Sequence, residues 1–312
     1  MDADAFRAEF PVCARIAFLN AGSDGPVPTR GAEAAVRQVE HELHEGRAGR
    51  PHFERLLGMA GKLREQLAGL MACSPEDVAL TRSTTDGVST VMSALRLGPG
   101  DEVLTSDEEH PGLLAPLEAA RRRRGFHVRI APFAELADAI GPRTRLVACS
   151  HVSWVGGRVV DAAALAASDA MVLLDGAQGL GAVPTNPHEL GCDFYAASGQ
   201  KWLCGPDGSG CLYVRRHLAD ELDPPWPNYG SLADPSRPSD LDPHPGARRF
   251  DMGLSGPLFA WSLESVGLLA EAGLAADGIV VRYLPGRGLV RASVGAWSNE
   301  EDLDRLVAAA VR

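Results

Sequence analysis

The sequence predicts an α/β protein: one large, mostly parallel sheet of seven strands with helices on both faces, joined to a reduced α+β second domain. Three observations lead there. Between residues 75 and 215 short apolar runs alternate with helical patterns, the rhythm of βαβ units. Polar residues cluster immediately after the runs, where an open sheet of this kind gathers its ligands. The 312 residues, 45% hydrophobic and 23% charged, leave room for about two globular domains.

Taken in order, residues 29–72 are helix-rich and arginine-rich, with an interruption near 46–51. Strands are predicted at 78–81, 102–105, 127–130, 145–149, 171–175, 194–197 and 210–214, and helices at 87–95, 112–124 and 161–167. Gly98-Pro99-Gly100-Asp101 reads as a turn. Residues 223–246 hold seven prolines and few apolar residues, hence a long surface loop. A helix at 257–272 and two short strands at 278–282 and 289–294 follow. Asn299 then caps a last helix with an acidic first turn. The division expected is a large domain at 15–235 and a small one built from 1–14 and 250–312.

A formal charge of −11 argues against a nucleic-acid or anionic-membrane partner, whose phosphates the average field would repel. The basic run Arg121 to Arg124 reads as the solvated end of a helix. There is no run of 18 apolar residues, and the N-terminus lacks the pattern of a signal peptide, so a cytoplasmic address is expected. Six cysteines without a CxxC pair suggest neither a zinc site nor a disulfide framework.

Of the 30 basic residues 28 are arginine; the two lysines are Lys62 and Lys201. Lys62 falls on the polar face of a helical pattern and reads as solvated surface. Lys201 instead follows a strand, in Ser198-Gly199-Gln200-Lys201. The neighbouring strand ends supply Asp175, the hydroxyl-rich turn Ser83-Thr84-Thr85 at a helix start, and His110. An amine, a carboxylate, a phosphate cradle and an imidazole on one sheet fit pyridoxal 5'-phosphate. That coenzyme needs a lysine for its imine, an acid beside its ring nitrogen and donors for its phosphate.

The run from Ala197 to Pro206 (Ala-Ser-Gly-Gln-Lys-Trp-Leu-Cys-Gly-Pro), with Gly208-Ser209-Gly210, resembles the lysine-bearing segment of the class V aminotransferase and cysteine desulfurase family, fold type I. The likeness extends in order from Phe18-Leu19-Asn20-Ala21-Gly22 to Leu289-Val290-Arg291-Ala292-Ser293. It implies Lys201 as the coenzyme-bearing lysine and catalytic base, Asp175 as the partner of the ring nitrogen, and Gln178 as donor to the ring hydroxyl. Thr84, Thr85, Ser198 and Gln200 would hold the phosphate, and His110 would stack on the ring and act in catalysis. Arg291 would clamp the substrate carboxylate bidentately, with Asn20 and Trp154 as further substrate contacts. The resemblance also implies an amino-acid substrate and a homodimer.

The chain departs from the family pattern in three places. Trp154 in His151-Val152-Ser153-Trp154 stands where many members carry an asparagine. Asp251-Met252-Gly253-Leu254-Ser255 replaces a Gly-Thr pair that often reaches the neighbouring subunit's phosphate. The strand at Ile279 follows the helix from 257 almost at once, so part of the family's small domain is missing. After Lys201 the cysteines are Cys204, too near the lysine, and Cys211, in a strand, which disfavours a persulfide-forming desulfurase. The expected reaction is β-elimination or C–S cleavage on a cysteine-derived amino acid. The alternatives are transamination or epimerisation on the same fold, and a non-catalytic truncated descendant, whose use for this residue set would be hard to explain.

Overall fold

Seven strands form the main sheet: β1 (Val78–Thr81), β2 (Glu102–Ser106), β3 (His127–Ala131), β4 (Thr144–Ser150), β5 (Met171–Asp175), β6 (Phe194–Ser198) and β7 (Gly210–Val214). Their order is β1-β7-β6-β5-β4-β2-β3, and only β7 runs against the rest. A two-stranded antiparallel sheet, β8 (Ile279–Leu284) with β9 (Leu289–Val294), stands apart from it. The computed structural model describes residues 1–253, 255–272, 279–284 and 289–310, of which 279–284, 289–291 and 309–310 by backbone alone.

The helices are α1 (Ala3–Ala8), α2 (Thr29–Glu45), α3 (Gly49–Leu70), α4 (Thr84–Ala94), α5 (Pro111–Arg124), α6 (Ala162–Ala166), α7 (Pro187–Leu190), α8 (Arg216–Glu221), α9 (Gly256–Ala272) and α10 (Glu300–Ala310). α4 begins three residues before the predicted start, because Ser83 accepts a hydrogen bond from Asp86 N and caps it. The predicted break at 46–51 narrows to 46–48; Pro51 sits in the first turn of α3, where its missing N–H costs nothing. α5 starts on Pro111 and stops at Gly125 in the left-handed region. The arginines at its end are not all solvated: Arg124 donates to the carbonyls of Ser93 and Leu95 and so closes α4.

Alternation along the strands divides the core into two layers. Val78, Leu80, Val172, Leu174, Tyr195, Ala197, Cys211 and Tyr213 face the layer under α3 and α9. Ala79, Leu173, Phe194, Ala196, Leu212 and Val214 face α4 and α5. The outer edge of β1 is closed by residues 246–252: Asp251 Oδ1 accepts from Leu80 N (2.8 Å), and Met252 N donates to Leu80 O (2.8 Å). Arg64 of α3 holds that segment in place by a two-pronged pair with Asp251.

The two chain ends meet. Arg7 reaches Asp302 (2.7 Å), Cys13 O (2.6 Å) and Trp297 O, and Asp302 and Asn299 cap α10 reciprocally. Asp302 is 2% exposed, so losing its cation strands a charge in the interior. Arg7→Met is expected to lower unfolding stability by about 3 kcal/mol, read as a fall in the urea midpoint; an unchanged midpoint would contradict this role for the pair.

Candidate active site

Because β7 alone is reversed, the C-terminal ends of β1, β2, β4, β5 and β6 open on one edge, and each delivers a polar group there. β5 ends in Asp175, which is buried and accepts from Ala177 N (2.9 Å). Burial pushes its carboxyl up, while the nearby Lys201 ammonium and the Ala177 N–H pull it back. β6 runs into the turn that carries Lys201, which is half-buried.

That turn is braced on both sides. Trp261 Nε1 (3.1 Å) and Ser265 Oγ (3.0 Å) of α9 both donate to Cys204 O. On the other side Gly25 N donates to Gln200 O (2.7 Å). A methyl group at Gly25 would lie 2.1 Å from the Lys201 carbonyl oxygen, so only glycine lets the N-terminal segment lie this close. The same segment passes Asn20, which bridges to Ser293 of β9, and Gly22, whose N–H donates to Ser293 Oγ (2.9 Å). Arg291 lies two residues earlier in β9; its side chain is outside the described residues.

At the head of β1, Thr84 N (2.9 Å) and Thr84 Oγ1 (2.7 Å) meet Ser198 Oγ, joining the start of α4 to the end of β6. Thr85 is exposed beside them. A Cβ at Gly112 would stand 2.6 Å from Thr85 Oγ1 and 3.1 Å from His110 Nδ1, so the starts of α4 and α5 converge on a space kept open by glycine. Gln200 Oε1 is buried with no hydrogen-bond partner among the described residues. Two helix starts and the hydroxyls of Thr84, Thr85 and Ser198 fit the phosphate of pyridoxal 5'-phosphate, and Lys201 with Asp175 fits its ring.

His110 is the N-cap of α5: its Nδ1 accepts from Gly112 N (2.9 Å), so in the neutral imidazole Nε2 carries the proton. Trp154 meets this ring edge-on, centroids 5.0 Å apart at 88°. The loop bearing Trp154 is a narrow excursion closed by the bridge Val152 to Val159, and Glu108 holds it through Ser153 and Arg158. Gln178 is placed at the site, but its amide is largely engaged: Nε2 donates to Gly22 O (2.8 Å) and Oε1 accepts from Trp202 Nε1 (3.0 Å). One N–H remains for a ligand.

Two buried groups have partners that the sequence does not show. His151, the first residue after β4, pairs through Nδ1 with Tyr195 OH (2.9 Å). Glu109, beside His110, is held by Ser106 and Ser150. A groove of about 770 Å³ is lined by residues such as Gln66, Leu70, Val183 and Leu269, none of them a predicted site residue. No group of acidic, histidine and cysteine side chains suited to a metal occurs among the described residues, nor does a helix long and apolar enough to cross a membrane.

The architecture is that of the fold type I enzymes that depend on pyridoxal phosphate. It matches the cystine C–S lyase C-DES, solved with its reaction product cysteine persulfide, at a TM-score of 0.88 and 25% identity over 96% of this chain and 98% of that one. A lysine-to-alanine mutant of C-DES, with glycine covalently linked to its pyridoxal phosphate cofactor, gives a TM-score of 0.89 over 97% and 98% at the same identity.

The sequence profile of the class-V aminotransferases matches residues 52–253, and the chain belongs to that family of cysteine desulfurase-like enzymes. It is 32% identical over 282 residues to isopenicillin N epimerase of Streptomyces clavuligerus, covering 82% of this chain and 69% of that protein. A cysteine desulfurase of Pectobacterium atrosepticum is 30% identical over 252 residues, 72% of this chain and 61% of its own length.

Burial holds His151 neutral, its pKa brought down to about 4 from an ordinary 6.5. The unfolded chain therefore binds the extra proton first as pH falls, and the histidine's share of stability, about 3 kcal/mol, is lost between pH 6.5 and 4. Glu109, pushed up to about 7, gives the opposite slope. The comparison is therefore with His151→Gln, whose unfolding free energy should lose less than wild type over that window; parallel curves would contradict a buried neutral imidazole.

Proposed function

We propose that this protein is a pyridoxal 5'-phosphate enzyme that cleaves a C–S bond of a cysteine-derived amino acid by β-elimination, without a persulfide-forming cysteine. When bound, the coenzyme supplies an electron sink that acidifies the substrate's α-hydrogen. Lys201 holds the coenzyme and takes the α-proton; Asp175 keeps the ring nitrogen protonated. The phosphate is held by Thr84, Thr85, Ser198 and Gln200. Gln178 offers its remaining N–H to the ring hydroxyl. His110 stacks on the ring and offers its Nε2 proton to the departing sulfur. Arg291 takes the substrate carboxylate, with Asn20 and Trp154 lining the substrate space.

The observation that carries the reaction class is the state of the downstream thiols. Cys204 and Cys211, the cysteines that follow Lys201 in the sequence, are both buried, and burial drives both thiols far from ionisation, Cys211 up to about 12. Neither can serve as a thiolate nucleophile. Elimination needs none, and the structural match to a cystine C–S lyase over nearly the whole of both chains supports it. A second reading, epimerisation, is supported by the sequence match to isopenicillin N epimerase.

The active form in this reading is a cytoplasmic homodimer. Val36, Val39 and Leu43 lie exposed on α2 at spacings that share one helix face, and Phe53 and Leu57 of α3 are exposed too, as is Tyr229, which meets Phe53. The large domain at 15–235 and the small one at 1–14 with 250–312 belong to the same reading, the Arg7–Asp302 pair joining the two ends of the latter.

Protein supplied with the coenzyme is expected to turn yellow and to release pyruvate from cystine or cysteine with no keto acid added. Lys201→Ala should stay colourless and lose at least about 10³-fold in turnover. Inversion of an amino acid without pyruvate would replace elimination by epimerisation, strict dependence on a keto acid would replace it by transamination, and a wild type that ignores the coenzyme would leave a non-catalytic scaffold.

A further inference from the structure

One buried carboxyl at the head of the sheet has no part in the chemistry above. Glu109 is 5% exposed and accepts three hydrogen bonds: Oε1 from Ser106 Oγ and from Ser150 N (3.0 Å), and Oε2 from Ser150 Oγ (2.6 Å). The donors are the last residues of two adjacent strands, Ser106 of β2 and Ser150 of β4. No ion pair reaches Glu109 among the described residues, so these three donors alone offset its burial.

What stands on either side of this clamp gives it meaning. The chain continues from Glu109 directly into His110, the cap of α5. Ser150 lies opposite Asp175 in the register of β4 and β5, and His151 N donates to Asp175 O (2.8 Å). A single carboxyl thus joins the strand end that presents the imidazole to the one that flanks the acid at the ring nitrogen.

We propose that Glu109 is a positioning residue for the coenzyme, setting the separation of His110 from Asp175 by clamping the end of β2 to the end of β4. The inference rests on the functional reading above, in which the coenzyme ring lies between those two side chains. The ionisable groups around Glu109 are Asp175 of β5, Cys149 of β4 and His110 of α5, with Lys201 beyond Asp175; Glu108 beside it is paired with Arg158. Burial and the charge of Asp175 raise the carboxyl to about 7, so above neutrality it adds a second negative charge beside Asp175.

The test compares Glu109→Gln and Glu109→Ala by titration with pyridoxal 5'-phosphate, following the visible band, its pH midpoint and thermal stability. Wild type and Lys201→Ala are measured first; if wild type gives no lysine-dependent band, the functional reading fails and Glu109 is not the cause. Given that band, Glu109→Ala should bind the coenzyme at least about tenfold more weakly, because nothing then sets the two strand ends. Glu109→Gln keeps acceptor and donor for the serines, so it should hold binding within about threefold of wild type. Its lost charge should lower the band's pH midpoint. Wild-type binding by Glu109→Ala, equal loss of binding by both variants, or an unmoved midpoint in Glu109→Gln would overturn the proposal. Should Glu109→Ala not fold, binding and midpoint in Glu109→Gln decide alone.

Discussion

The site depends on one electrostatic arrangement: a carboxylate at the end of β5, sealed from water, with an ammonium across from it at the end of β6. Burial alone would favour the neutral acid at Asp175, and the charge of Lys201 opposes that preference. Neither strand end is free to shift. β5 and β6 are hydrogen-bonded in parallel, the turn after β6 is braced by α9, and the N-terminal segment lies against that turn with glycine at its closest approach. An amine held this way is preorganised, which is what a group that must meet both a coenzyme and a substrate proton requires.

Much of this was legible before the fold was known, because strands buried on both faces write themselves as apolar runs whose ends are marked by polar residues. Asp175 and Lys201 stand out for that reason, and so does the hydroxyl turn at Thr84. The sequence pattern starts the helix after that turn at Gly87, and the structure starts it at Thr84. Serine and threonine are weak helix formers, yet here Ser83 caps the first turn and Thr84 and Thr85 lie within it. His110 satisfies two readings at once, since the ring assigned to stacking is also a helix cap.

What stayed hidden were partnerships across the sheet. Glu109 and Ser150 lie far apart in sequence and meet only because β2 and β4 are neighbours, an order that linear pattern does not carry. The same holds for His151 and Tyr195, and for the use of Gln178 by Gly22 and Trp202. The signal available for Glu109 was a carboxylate at the close of a strand wholly buried along its length. Such a group is expensive and persists only where something holds it.

The decisive measurement is chemical trapping of the coenzyme. Protein loaded with pyridoxal 5'-phosphate, reduced with borohydride and digested, should carry the pyridoxyl group on the peptide containing Lys201 and nowhere else. A modified peptide containing Lys62 in its place, or no covalent adduct at all from protein that binds the coenzyme, would contradict the account.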